Sequence, residues 1–384
     1  MSLWQIVGQE TRLLLKGRFS RAVILMGLPL MFTMLFGMVY DENVVNNVTT
    51  VVYDQDQSSL SRTLIQMYDD SERFQLVSYV DTQERMHEAI YTGRAKVALV
   101  IPENFSEDIK SGQGSKVLLT VNSANNMFAN GAMSSAQEIN RSFSVAVGQK
   151  MLESAGLLPG TAMAAVYPLR LGVRILGNPV NGYSQFMLTG LMLNGLQIGI
   201  MITLGTYLYD ELSRGRRHSV RELFKLLGRA VPYGGFAMAG YLFSLLLAIY
   251  GFGIPMEGSM AEACLLGAAY IFFVMGAISI FSACAPSRPM ALQSPMLYIM
   301  PGLLYSGLSW PSFDMSREAG IFSLLLPISY AGDCLRDIML MGYAPGLWDN
   351  VGRMLLYGSA CFCAAVLVMM LKQRKMQGGE AVHG

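Results

Sequence analysis

Residues 185–231 read QFMLTGLMLNGLQIGIMITLGTYLYDELSRGRRHSVRELFKLLGRAV, and this stretch decides the fold. Its first part, Gln185–Tyr209, carries no charged side chain and exceeds the ~20 apolar residues that cross a hydrocarbon core. Its second part holds Arg214, Arg216, Arg217, Arg221, Lys225 and Arg229. Basic residues beside a span mark its cytoplasmic end. A membrane crossing and its orientation are thus written in one segment.

Working outward, five more stretches qualify as spans: Ala22–Tyr40, Pro232–Phe252, Ala263–Ala285, Ala291–Ser309 and Arg353–Leu371. Six crossings return the tail to the side of the N-terminus. Arg12, Lys16, Arg18 and Arg21 precede the first span, and Lys372, Arg374 and Lys375 follow the last. Both termini are therefore expected on the cytoplasmic side with the Arg-rich segment. The first stretch reads as a retained anchor, because its apolar run exceeds the 7–15 residues of a signal peptide and no small-x-small site ends it.

Composition agrees. Of 384 residues 52% are hydrophobic and only 14% charged, against roughly 25% charged in a soluble domain. Mean hydropathy is +0.38 although a long middle stretch is polar. A formal net charge of +1 excludes a basic nucleic-acid binder, and the low charge excludes a disordered chain. Five scattered cysteines and three histidines show no metal-ligand spacing, so no metal is expected.

The polar stretch 41–184 has a different rhythm. Val48–Tyr53, Phe74–Val80, Lys96–Ile101 and Val117–Asn122 read as strands, with helices over Leu60–Met67, Thr82–Thr92 and Asn125–Ala155. Alternating strands and helices imply a small α/β domain. The run Asp54-Gln-Asp-Gln-Ser-Ser59 supplies a turn and a helix cap, a better use of its acids than calcium binding. Further on, Trp310–Gly352 contains the apolar run Ala319–Ala331, broken by Pro327 and too short to cross. It reads equally as a re-entrant hairpin or a helix on the outer surface.

No phosphate-binding loop, nucleophile elbow or zinc helix occurs, so the chain by itself is not expected to be an enzyme. The spans hold essentially no ionisable groups, which disfavours a proton-driven carrier. Asn194 and Gln197 share a helix face in the second span, and Gln293 and Tyr298 lie in the fifth. These four either fasten helices together or line a path for an amphiphile. On the cytoplasmic side Ser219 and Glu222 form a capping box. Val220, Leu223, Phe224 and Leu227 then make an apolar stripe opposite Arg221, Lys225 and Arg229. That short helix either rests on anionic lipid or docks a cytosolic partner. Leu3–Leu15 is a second amphipathic candidate, with Leu3, Val7 and Leu14 on one side.

Four motifs, in this order, resemble the type-2 permease family of ABC exporters, in the subgroup with a large external domain after the first span. They are VVYDQDQSSLS (51–61), ALVIPENFSEDI (98–109), SGLSWP (306–311) and LPISYAGDCLRDI (326–338). The resemblance implies an α-helical membrane protein with six transmembrane helices and an inserted extracytoplasmic α/β domain. Its expected organisation is a connecting helix in 1–21, spans at 22–40, 185–209, 232–252, 263–285, 291–309 and 353–371, and an external domain at 41–184. Residues 210–231 would form the coupling-helix loop, 310–352 the outer hairpin, and 372–384 a cytoplasmic tail.

The same resemblance implies a permease subunit of a bacterial inner-membrane exporter moving drugs, antibiotics or lipids. ATP and Mg would act through separate cytosolic ATP-binding subunits, with no cofactor on this chain. A second permease copy or a sister permease would complete the path, and a periplasmic adaptor stays open as a further partner. Coupling is assigned by the resemblance to Glu211, Arg214, Arg217, Ser219, Arg221, Glu222 and Phe224, and the path to Asn194, Gln197, Gln293 and Tyr298. The segment Asp210–His218 departs from the family, being richer in Arg and lacking a Gly-Thr pair. The alternative function is a non-transporting receptor or scaffold whose external domain binds a ligand or an envelope protein.

Overall fold

The computed structural model describes residues 3–42, 44–169, 172, 174–178, 182–212 and 220–380. They divide into two compact units, Met1–Asn43 with Ile175–Gly384, and Val44–Arg174. The chain opens with α1 (Leu3–Lys16) and α2 (Phe19–Val39). Between them the backbone closes on itself, with Gly17 N and Arg18 N both donating to Leu13 O. The buried stripe of α1 is Ile6, Glu10 and Leu14, four residues apart, instead of the expected Leu3, Val7 and Leu14. An acid therefore sits in the middle of its inward face.

The second unit is an α/β sandwich. Its strands are β1 (Val48–Asp54), β2 (Phe74–Tyr79), β3 (Val97–Ile101) and β4 (Leu118–Val121), in the order β2-β1-β3-β4. β1 pairs parallel with both β2 and β3, and β4 closes the edge antiparallel to β3. Helices α3 (Ser59–Asp69), α4 (Gln83–Tyr91), α5 (Phe105–Lys110), α6 (Asn126–Ser154) and α7 (Pro159–Val166) complete it. Strand alternation assigns the faces. Val48, Val52, Val97 and Leu99 pack with Leu64, Phe105 and Phe143 of α3, α5 and α6. Val51 and Ala98 point the other way, to Met86 and Ala89 of α4.

The acids of the first turn serve as caps. Asp54 Oδ1 accepts from the amides of Asp56 and Gln57, and its Oδ2 accepts from Ser61 Oγ at 2.7 Å. Ser58 caps α3 through the Ser61 amide.

The first unit resumes with α8 (Tyr183–Ile200), which passes through one wide turn (Met201–Gly205) into α9 (Thr206–Leu212). After residues 213–219 come α10 (Val220–Leu246), α11 (Met260–Cys284), α12 (Arg288–Ile299), α13 (Arg317–Ser323), α14 (Ile328–Met341) and α15 (Leu347–Glu380). Among the described residues five helices are long and apolar enough to cross a membrane: Phe19–Val39, Tyr183–Glu211, Gly228–Gly251, Met260–Cys284 and Leu347–Lys372. The chain is thus a mostly helical, multi-pass membrane protein.

Two features differ from the sequence expectation. The stretch 291–309 is not one long helix. α12 ends at Ile299, a tight turn follows over Met300–Leu303, and the chain is extended or turned beyond. Pro301 has no N–H to continue the ladder, and Gly307 sits at φ 85°. Likewise, residues 220–227 are not a separate short helix. They run unbroken into the third span, with Pro232 inside the helix.

α8 is the axis of the unit. Of its most apolar stretch 83% is buried, against 28% for α2 and 22% for α15. α2 lies close on it because Gly195 and Gly199 present no side chain there, the small-residue contact that membrane helices favour. α14 is part of the bundle interior. Its Ile328, Ala331, Leu335, Ile338 and Met339 are fully buried, in the same core as α8 and α11.

Candidate functional site

The helix pair α9 and α10 flanks residues 213–219, and a lattice of ion pairs ties down both flanks. Arg229 Nη1 donates to Glu211 Oε2 at 3.1 Å, while Arg18 Nη2 stands 3.9 Å from Glu211 Oε1. Arg18 Nη1 reaches Glu10 Oε1 at 2.9 Å. Asp210 holds Arg288 Nε at 3.0 Å and Arg21 Nη2 at 3.5 Å. Arg21 Nη1 also donates to the Tyr233 hydroxyl at 3.2 Å. Below these charges Tyr207 and Tyr233 stack at 4.9 Å, and Arg18 and Arg21 lie 5.0 and 5.6 Å over the Tyr207 ring. Five elements, α1, α2, α9, α10 and α12, are thereby joined at one end of the bundle. Lys372 of α15 joins them indirectly. Its Nζ donates to Ala283 O and Ala285 O at 2.7 and 3.1 Å, where the negative end of α11 favours a cation.

The lattice turns Glu211 inward. Its side chain is only 13% exposed and paired within the chain. Arg214, Arg217 and Ser219 lie outside the described residues, and Arg221, Glu222 and Phe224 fall in the opening turns of α10. Glu10 is the most deeply placed acid of the group. Burial raises its carboxyl pKa above the ordinary value, against the opposing pull of Arg18 and Arg229.

A raised carboxyl pKa means that, between the unfolded and folded values, the folded chain binds more protons than the unfolded one. Stability contributed at this site therefore falls as pH rises through that window, upward from about 4.5. Glu10→Gln is expected to flatten this part of the pH–stability curve. Thermal melts of both proteins between pH 4 and pH 8 check it. Parallel curves would rule out Glu10 as the source.

The polar residues of the spans separate into two groups. Gln197 is buried, and its Nε2 donates to Asn194 Oδ1 at 2.7 Å. Tyr270 of α11 donates its hydroxyl towards Gln197 Oε1 and Leu193 O, each at 3.0 Å. Gln197 and the Leu193 carbonyl thus fasten α8 to α11, and Asn194 holds the Gln197 amide within α8. Gln293 is on the exposed side of α12. Tyr298 packs its ring on Phe281 at 5.3 Å and gives its hydroxyl to Leu325 O. Neither meets the Asn194–Gln197 pair.

Local pattern does not single out Glu10, Arg18, Arg21, Tyr233, Tyr270 or Arg288 as partners. Arg21 and Tyr233 are 212 positions apart in sequence. The single local signal is Glu10 itself, an acid four residues from apolar Ile6 and Leu14. Among the described residues no group of three or more His, Cys, Asp or Glu could hold a metal ion. Charged contacts that join five helices make this end suited to transmitting a displacement.

Comparison with known proteins fits that geometry. The profile of the ABC-2 family transporter proteins matches residues 21–367. A protein of Escherichia coli K12 called "Probable multidrug ABC transporter permease YbhR" is 23% identical over 382 residues, covering 96% of this chain and 98% of its own. Its counterpart in E. coli O157:H7 matches equally. The "ABC transporter G family member 20" of Dictyostelium discoideum is 28% identical over 173 residues, 44% of this chain and 24% of that protein. No solved structure matches.

Proposed function

The chain belongs to the ABC-2 transporter family, and from that premise we propose that it is the permease subunit of a bacterial ATP-driven exporter. Hydrolysis of ATP with Mg would take place on separate cytosolic subunits. This chain, with a second copy or a sister permease, would form the path for hydrophobic or amphipathic compounds. The names of the E. coli relatives support a drug-like cargo. So does a bundle interior whose polar groups are mainly amides and hydroxyls.

The observation that carries the reading is the charge lattice, because it converges on the two flanks of 213–219. A partner pressing on that segment would move α9 and α10 together, and through Arg18 and Arg288 also α1, α2 and α12. In this reading Glu211 acts from behind the segment, transmitting its motion. Arg214, Arg217, Ser219, Arg221, Glu222 and Phe224 provide the contact with the ATPase. Asn194, Gln197, Gln293 and Tyr298 remain the proposed path residues, Gln197 also serving as a fastener.

In this reading the chain keeps six crossings, cytoplasmic termini and an extracytoplasmic domain over 41–184, and contacts within the helical unit support the count of crossings. Arg288 at Asp210 puts the start of α12 at the lattice end. Lys372 at Ala283 and Ala285 puts the end of α15 there too. Since Leu347–Lys372 is itself of spanning length, these two contacts support a chain that reaches the opposite end between Arg288 and Leu347. Glu257 N donating to Met339 O supports the same reading, with α14 at that far end. The break at Pro301 is then an interruption within a fifth crossing, which packed membrane helices tolerate.

The test is reconstitution. The full chain, expressed with the ATP-binding proteins of its host, is purified and inserted in liposomes. ATP-dependent export of an amphiphilic dye is expected, and neutralising Arg214 and Arg217 together is expected to release the ATPase. A chain that retains no ATP-binding subunit and moves no dye would instead be a receptor or scaffold.

A further inference from the structure

α14 is packed into the bundle on most sides, yet it carries the charged run Asp333-Cys-Leu-Arg-Asp337. Helical spacing puts Asp333, Arg336 and Asp337 on one side of it. That side meets the start of α8. The Arg336 guanidinium lies 4.7 Å over the Phe186 ring, and its Nη2 donates to Asp333 Oδ1 at 2.9 Å. Asp333 in turn rests against the backbone of Gly307, which at φ 85° leaves no room for a Cβ beside the carboxylate. These groups therefore sit in a seat between α14, α8 and the chain after α12. The side chains of Asp333 and Arg336 are 33% and 18% exposed, and Arg336 Nη1 is buried without an acceptor.

Charge in this seat does not balance, because two carboxyls share one guanidinium. The neighbouring elements do not correct it. α8 has no charged side chain over Tyr183–Ile200, only the phenol of Tyr183, and residues 300–309 have none. α11 and the residues before it bring Glu262 and Glu257, both acids, and Glu262 is close enough to act on Cys334 together with Asp333 and Asp337. α15 brings Asp349 and Arg353, and Arg353 acts on Tyr330. Burial holds the Asp333 and Asp337 carboxyls above the ordinary carboxylate value, against the pull of Arg336.

We infer that α14 takes up one proton as it seats on α8, held between Asp333 and Asp337 around Arg336. Seating strips water from two acids that one base cannot neutralise, and a single proton restores neutrality. When α14 lifts from α8, water reaches both acids and the proton leaves. Both carboxyls titrate higher in the seat than in water, so acid favours the seated form. It gives way as pH rises through the window upward from 3.8. Only the consequence rests on the export reading above: there the seat closes the external end of the path, and external acidity holds it shut.

The test needs neither ATP nor cargo, so its failure is distinct from failure of that reading. Cys334 is 4% exposed and adjoins Asp333, so it becomes reactive when α14 lifts. Cys284 is exposed and supplies the reference for the pH dependence of thiol chemistry itself. The full chain in phosphatidylcholine nanodiscs is treated with N-ethylmaleimide from pH 5 to pH 8, and modification of each cysteine is read by mass spectrometry. In the wild type the ratio of the Cys334 rate to the Cys284 rate is expected to rise with pH, by up to ~10-fold per unit, the limit for one linked proton. Asp337→Asn removes the unbalanced acid and leaves Asp333 paired with Arg336, so its ratio should be low and flat. Asp349→Asn, at an exposed acid outside the seat, should keep the wild-type slope. A wild-type ratio that is flat or falls with pH overturns the inference without any variant. So does a wild-type slope in Asp337→Asn, or a slope lost equally in Asp349→Asn.

Discussion

Glu211→Ala is expected to lower the thermal midpoint of the chain more than the loss of either arginine partner's surface contacts would suggest. Glu211 stands between Arg229 and Arg18, so its removal strands Arg229 at a half-buried position, while Arg18 keeps Glu10. Breaking a buried pair by deleting one partner costs about 3–5 kcal/mol, because the remaining charge is left uncompensated. Arg229 is partly solvated, which places the expected loss near the bottom of that range, about 3 kcal/mol. For a unit of this size that is roughly 6–12 °C, at 2–4 °C per kcal/mol. The arrangement also predicts a rescue. Adding Arg229→Met to Glu211→Ala removes the stranded cation, and the double variant should melt above the single one. If the two losses simply add, Glu211 and Arg229 are not coupled and the lattice is a set of surface contacts.

The second large effect is expected at Leu308. It is fully buried and wedged between α8 and α14. A Cβ on Gly190 would come 2.2 Å from its Cδ1, and one on Gly332 would come 2.7 Å from it. Leu→Ala in a packed interior costs about 2–5 kcal/mol, part for transfer and part for the cavity. In a bilayer the transfer part largely vanishes, since lipid is as apolar as leucine. About 2 kcal/mol of packing loss is therefore expected for Leu308→Ala, read as a lower melting midpoint in nanodiscs. Gly332→Ala alone should also destabilise, by overpacking. In Leu308→Ala/Gly332→Ala the new methyl enters the space that the leucine left, so the double variant should recover part of each loss. Strict additivity would mean that Leu308 does not bridge the two helices.

The two sites differ in how far the sequence announces them. The motif SGLSWP marks the region of Leu308, yet nothing local says that two glycines 118 and 24 residues away frame its side chain. The Asp54–Ser59 turn is the opposite case. Asp54, Ser58 and Ser61 bond to each other within seven residues, so capping chemistry is legible directly. Strand positions in the 44–174 unit are legible for the same reason. A two-residue alternation of Val and Leu reports a pleated, half-buried surface without knowledge of its neighbours.

The amide pair Asn194–Gln197 shows the intermediate case. Helical spacing places both on one face of α8, and their mutual bond follows. That the face meets the Tyr270 hydroxyl of α11 does not follow, because the rotation of one helix against another is set by packing across many residues. The same limit explains α1, where the inward stripe contains Glu10. An apolar count favours Leu3 and Val7, but an acid is tolerated inside once Arg18 folds back over it.

By itself, then, the sequence determined which five stretches are long and apolar enough to span, which ends are basic, and which stretch forms a separate α/β unit. Each of these depends on runs and periods within about twenty residues. The tertiary structure alone decided that the stretch 291–309 breaks at Pro301, that Glu211 is clamped between arginines of α2's entry and α10, and that Gly190 and Gly332 frame Leu308. Those outcomes depend on side chains brought together from distant positions. Local pattern carries burial and polarity, and only close packing between helices selects partners.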